Sequence, residues 1–334
     1  MNDKILGGLL GAAIGDALGA ATETRSMDQI ISRFGGLVDD FVEIPDDVFA
    51  RGFPKGTVTD DFSLAYYTAL AIIRHDGVID ADTAKDALLS WSETKYFALA
   101  GPTTVRAVEK LKGNEAKSAN DFLAVDNSKG SNGSAMKISP AGLVSKGDVE
   151  KAIENAVTIC LPTHDNSTSL AGACAVSAAI ARALQDNATL DDVIESGIYG
   201  AVRGEEIGTA HGKRLANPSV VKRIFLALEI ADKSDDIWSC ARELTDIIGS
   251  GLSAAEAVPC AFGLLKAAKG DGKKAILAGV NIGNDTDTVA TITGSIAGTL
   301  YGPHLFEERY QRKIEEANGF DLRKLAEELE RVSR

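Results

Sequence analysis

The chain has 334 residues, 45% of them hydrophobic, enough to bury a substantial core and to argue against disorder. Its 35 Lys and Arg against 48 Asp and Glu leave a net charge of -13, a field that repels a phosphate backbone and disfavours a general nucleic-acid binder. Cys160, Cys174, Cys240 and Cys260 form no C-x-x-C pair, which speaks against a zinc knuckle or a dense disulfide framework and fits reduced thiols in the cytoplasm.

From Asp3 to Gly19 the sequence reads as a helix with Gly7, Gly11, Gly15 and Gly19 on one face. Four glycines weaken a helix by about 1 kcal/mol each, so close packing against another helix, or backbone approach to a ligand, must compensate. The spacing favours helix packing. The apolar run Ile5 to Ile14 is preceded by one Lys and meets Asp16 where a cleavage region would lie, so secretion is not expected. No run reads as long and apolar enough to span a bilayer, and no membrane partner is expected. Glu23 follows the helix, in a loop.

Residues 35 to 58 read as loop, with Phe41 to Ile44 the one strand-like run. Thr59 then fits an N-cap, with Asp60 and Asp61 in the first turn of an apolar helix reaching Ile73. Two helices are expected between Asp80 and Phe122, the second ended by Gly113. Ser128 to Gly142 is a Gly/Ser/Asn loop whose backbone N–H groups could cradle phosphate or ribose, with Lys137 adding positive charge. It is not an EF-hand, because Lys137 occupies the position that needs a bidentate Glu. A helix from Asp148 to Cys160, a break at Pro162 and an Ala-rich helix follow, with His164 in the THDN turn between them; the N-terminus of the later helix is a reasonable anion site. The glycine-interrupted stretch 200–217, with His211, reads as a substrate-side loop. A helix stopped by Gly249 and another over Ser253 to Ala268, opened by a Ser253-x-x-Glu256 capping box, lead to the densest motif.

That motif is GNDTDTVATITGSIAG, Gly283 to Gly298. Asp285, Thr286, Asp287 and Thr288 set oxygen ligands in a row, a set suited to a hard cation, at the start of a buried helix. Gly56-x-x-Thr59-Asp60-Asp61-Phe62 and Gly283-x-x-Thr286-Asp287-Thr288-Val289 share one pattern: glycine, two residues, Thr-Asp, a polar oxygen, an apolar helix. Two such corners facing each other would form a cage. Leu322, Leu325, Ala326 and Leu329 mark a C-terminal amphipathic helix. The chain therefore reads as all-α, one domain over 1–334.

Together GGLLGAAIGDALGAATE, GTVTDDFSLA, NGSAMKISPAGL, the THDN turn and GNDTDTVATITGSIAGTLYG resemble the ADP-ribosylglycohydrolase family, which includes the dinitrogenase reductase-activating glycohydrolase. The resemblance implies an orthogonal helical bundle holding two Mg²⁺ or Mn²⁺ ions and hydrolysing the bond between the terminal ribose of ADP-ribose and a protein side chain or small acceptor. It implies Thr59, Asp60, Asp61, Asp285, Asp287 and Thr288 as ligands. Among these Asp60, Asp61 and Asp287 would also share the catalytic work with Glu23, the candidate general base or orienting group. The loop of Ser131, Asn132, Gly133 and Ser134 and the turn at His164 would hold the diphosphate through N–H donors. Lys137 departs from the pattern, standing where many members have Arg.

Three other readings compete. Asp285-x-Asp287 also fits the nucleophile motif of haloacid-dehalogenase-type phosphatases, which would need to close a buried strand. The same fold could hydrolyse a free riboside or nucleoside-like metabolite. A catalytically inactive ADP-ribose-binding module is the non-enzyme reading. Oligomeric state is not legible.

Overall fold

A computed structural model describes residues 1–115, 117, 120–211 and 213–333. Among the described residues there are sixteen α-helices and no β-strand. The chain begins with α1 (Asn2–Gly19), α2 (Met27–Phe34), α3 (Asp60–Arg74), α4 (Ala81–Ser92) and α5 (Pro102–Leu111). It continues with α6 (Ser139–Leu143), α7 (Val149–Cys160), α8 (Ser167–Leu184), α9 (Leu190–Ala210) and α10 (Val220–Lys233). Then come α11 (Ile237–Ile247), α12 (Ala254–Ala267), α13 (Gly272–Asn281), α14 (Thr286–Tyr301), α15 (Glu308–Asn318) and α16 (Leu322–Val332). One hydrophobic cluster runs through them from Ile5 to Val332.

The glycine stripe of α1 is a helix contact. A Cβ added at Gly7, Gly11 or Gly15 would lie 2.1, 2.2 or 2.3 Å from the carbonyl oxygens of Gly298, Gly294 and Ala290, and one at Gly19 would lie 2.4 Å from Asp287 Cα. Numbers rise along α1 while they fall along α14, so the two helices run antiparallel with their backbones touching. The C-terminal end of α1 is thereby fixed beside the N-terminal end of α14.

Four expectations are corrected. Phe41 to Ile44 forms no strand: Phe41 packs on Tyr310 of α15, ring centroids 5.4 Å apart, instead of entering a sheet. The stretch beginning at Gly200 is helical up to Ala210, because Gly200 and Gly204 pack on the carbonyls of Cys174 and Leu170; Gly212 lies outside the described residues, and Asn217 and Pro218 reach the cleft described below. Helix α8 is long and apolar enough by composition to cross a bilayer, yet 94% of it is buried inside the protein, so core packing accounts for its character. Ser253 caps α12 by accepting from Ala255 N, but Glu256 does not complete a capping box; it accepts from Gly251 N instead.

Gly11→Ala should lower stability by about 1–3 kcal/mol through overpacking, whereas Gly36→Ala, where an added Cβ meets nothing within 4 Å, should be neutral or slightly stabilising. Urea denaturation midpoints of the two variants check this, and equal midpoints would contradict it.

Candidate active site

The first acidic corner opens α3. Thr59 Oγ1 accepts from Asp61 N at 3.2 Å, the N-cap that its sequence position predicts, and places Asp60 and Asp61 in the first turn. What anchors this corner is Asp16, a residue sequence reasoning passed over. Fully buried on α1, its carboxylate accepts from Thr59 N at 3.0 Å and from Phe62 N at 2.9 Å. A lone carboxylate inside an apolar helix was the available signal, since such a group must be hydrogen-bonded to be tolerated.

The second corner opens α14. Thr286 Oγ1 donates to Gly19 O at 2.9 Å, and Asp285 accepts from Asn132 Nδ2 at 2.5 Å. Two backbone bonds join this corner to the Glu23 turn: Thr24 N to Asn284 O at 2.7 Å, and Asn284 N to Arg25 O at 2.8 Å. The Arg25 guanidinium donates to the Glu23 carbonyl and pairs with Asp47. As a result carboxylate oxygens of Glu23, Asp285 and Asp287 lie within 4.8 Å of one another. The two corners do meet: Thr59, Asp60, Asp61, Asp285, Asp287 and Thr288 line one cleft of about 1080 Å³, with Glu23 beside them.

Five of the six carboxylates are buried and Asp60 is half-buried. Among the described residues none of them forms an ion pair with Lys, Arg or His. Burial therefore pushes Asp16 up to about 7, against the pull of its backbone donors. Burial, then the charges of Asp285 and Asp60, push Glu23 to about 8; burial, then Asp16, push Asp60 to about 8. Asp61, Asp285 and Asp287 are raised chiefly by burial as well. Asp61 Oδ2 and Asp287 Oδ1 are buried without a hydrogen-bond partner. An all-oxygen donor set with surplus negative charge and orphaned lone pairs fits a hard divalent cation.

The remaining predicted site residues divide. Asn132, Gly133 and His164 line the cleft. Ser134 lies behind its wall, fully buried, with Oγ donating to Ser169 O at 2.8 Å, so its side chain serves to hold the loop on α8. Asp285 starts a helix and follows no strand, which removes the structural context that the phosphatase reading requires.

The ADP-ribosylglycohydrolase family model matches residues 1–334. The chain belongs to the ADP-ribosylglycohydrolase family. It is 29% identical to YegU of Escherichia coli K12, named only as uncharacterised, over 97% of this chain and 95% of that one. Mouse ADP-ribosylhydrolase ARH3 is 25% identical over 98% of this chain and 91% of its own, and the ADP-ribosylarginine hydrolase Tri1 of Pseudomonas putida is 24% identical over 98% and 78%. A solved structure titled as an ADP-ribosylglycohydrolase-related protein complex superposes with a TM-score of 0.65 at 22% identity, covering 100% of this chain and 99% of that one, which shows the shared all-α fold.

Two outcomes follow for this ADP-ribosylglycohydrolase family member. Asp16, Glu23 and Asp60 hold their protons more tightly folded than unfolded, so their contribution is fully present below the ordinary carboxylate range and is lost as pH rises through about 7 to 8. Millimolar Mg²⁺ or Mn²⁺ should accordingly raise the melting temperature more at pH 8 than at pH 5; a pH-independent shift would contradict this. Asp16→Ala leaves the buried Thr59 and Phe62 N–H groups without their acceptor and should cost about 1–3 kcal/mol in denaturant unfolding, with a loss near zero counting against the anchoring role.

Proposed function

We propose that this protein is a divalent-cation-dependent hydrolase that cleaves the glycosidic bond at the terminal ribose of an ADP-ribosylated side chain or ADP-ribose conjugate. The observation that carries the reading is the convergence of two oxygen-rich corners, with orphaned oxygens on Asp61 and Asp287, at a cleft beside Glu23. Thr59, Asp60, Asp61, Asp285, Asp287 and Thr288 would hold two Mg²⁺ or Mn²⁺ ions. Bound there, the cations would supply positive charge against the ribose hydroxyls and an acidified water.

The chain's own groups account for the rest. Breaking a glycosidic bond builds positive charge at the anomeric carbon, and a floor of carboxylates is the field that stabilises it. Glu23 sits at the rim of that floor, within reach of Asp285 and Asp287, where it can orient the scissile bond or take a proton from the attacking water. Burial first, and then the charges of Asp285 and Asp60, hold its carboxyl near 8; neutralising those charges lowers it toward the range of a working base. Asn132 both lines the cleft and fixes Asp285 by donating to its carboxylate. The loop of Asn132 and Gly133 and the turn at His164 would hold the diphosphate.

ARH3 is named as an ADP-ribosylhydrolase and Tri1 as an ADP-ribosylarginine hydrolase, and both names support the reading. Product analysis over ADP-ribosyl-arginine, ADP-ribosyl-serine, O-acetyl-ADP-ribose and simple ribosides with Mg²⁺ tests it and identifies the leaving group. Release of ADP-ribose from at least one conjugate is expected; turnover of ribosides alone would move the assignment to a riboside hydrolase, and binding without turnover to a binding module. Asp287→Asn should lower kcat by about a thousandfold with an unchanged circular dichroism spectrum, and a fully active variant would remove this carboxylate from the mechanism.

A further inference from the structure

Lys137 is among the largest fully buried side chains of the protein, and among the described residues it has no carboxylate partner. Burial holds its ammonium below the usual lysine range. Its Nζ donates to Thr163 Oγ1 at 2.7 Å, Thr163 Oγ1 lies 2.8 Å from His164 Nδ1, and His164 Nε2 lies 2.9 Å from Ser131 Oγ. Ser131 and His164 both line the cleft. A buried cation is thus joined to the cleft wall by three consecutive hydrogen bonds. An added Cβ at Gly133 would lie 3.1 Å from His164 Nε2, so the loop leaves the imidazole room at this point.

The protons in this chain have a preferred direction. Thr163 Oγ1 carries one hydrogen, with His164 Nδ1 at 2.8 Å and Cys160 O at 3.3 Å as candidate acceptors. Cys160 O already accepts from the backbone N–H groups of Thr163 and His164. A cation at the far side of Thr163 turns the hydroxyl dipole away from itself, and it disfavours an Nδ1–H directed back toward it. Thr163 then donates to Nδ1, the imidazole carries its proton on Nε2 and donates to Ser131 Oγ, and the Ser131 hydroxyl hydrogen is left to point into the cleft. A serine nucleophile would need the opposite direction, with His164 accepting from Ser131 and a carboxylate behind the imidazole. Here an ammonium stands in that place, so the Ser131–His164 pair is arranged for binding and not for attack.

We propose that Lys137 is a positioning residue for substrate binding: through Thr163 and His164 it orients the Ser131 hydroxyl as a donor to an anionic oxygen in the cleft, a phosphate oxygen of the ADP-ribosyl group. The ligand class rests on the function proposed above; the direction of the relay does not. The titratable groups that bear on it are Lys137 and His164 themselves and the Cys160 thiol beside Lys137. Cooperative polarisation along such a chain strengthens its last donor, which is where a charged oxygen benefits most.

The experiment combines ¹⁵N NMR of the His164 ring with calorimetric binding of ADP-ribose and of adenosine, in Mg²⁺, to the full chain. The wild type should show the Nε2–H tautomer. Lys137→Met and Thr163→Val should each weaken ADP-ribose by about ten- to a hundredfold while leaving adenosine unchanged, and the double variant should lose little more than either single one. Lys137→Arg should restore most of the ADP-ribose affinity, which a purely space-filling role for Lys137 would not require. An Nδ1–H tautomer in the wild type, or equal losses for ADP-ribose and adenosine, would overturn the relay. If the wild type binds no ADP-ribose at all, the proposed function fails, while the tautomer still decides the relay by itself.

Discussion

The contact on which the site depends is the antiparallel seam between α1 and α14, where backbone meets backbone along Gly7, Gly11 and Gly15. Only residues without a Cβ allow that distance, and the distance sets the register. Gly19 against Asp287 brings the turn after α1, with Glu23, onto the turn before α14, with Asp285. Asp16, one turn back on α1, reaches across to the first turn of α3 and fixes Asp60 and Asp61 to the same frame. Three segments far apart in the chain are therefore held by a single helix.

The arrangement is electrostatically expensive. Among the described residues five carboxylates line the cleft and Asp16 lies behind them, none with a basic partner, and every one of their pKa values is driven upward by burial. A fold that only needed stability would replace such groups with apolar ones of similar volume. Five of them at one large cleft is the pattern expected of a functional site, in which protons or cations relieve the repulsion.

Much of this was legible in the sequence, for identifiable reasons. The glycine spacing announced a helix seam, the Thr-Asp-Asp corner announced its own cap, and the repeated pattern suggested that the two corners face each other, although Asp285 at the start of α14 makes no side-chain cap. The role of Asp16 was hidden because its partners, Thr59 N and Phe62 N, are backbone groups more than forty residues away, and backbone donors leave no sequence signature. The glycines of α9 were mistaken for a loop because glycine permits both a turn and close helix packing, and only the neighbouring α8 decides between them. Ser134 read as part of a phosphate loop, and its contact with Ser169 could not be foreseen from local composition. Membership of the ADP-ribosylglycohydrolase family and the fold do not by themselves determine substrate or leaving group, which is why neither was legible in the sequence.

The converging carboxylates could hold a divalent cation. Counting Mn²⁺ bound per chain at neutral pH, by the loss of the free-ion paramagnetic resonance signal, tests it most directly. Two ions per wild-type chain are expected, with fewer in a variant carrying both Asp61→Asn and Asp287→Asn. A wild-type chain that binds none, or a double variant that binds as many as the wild type, would contradict the account.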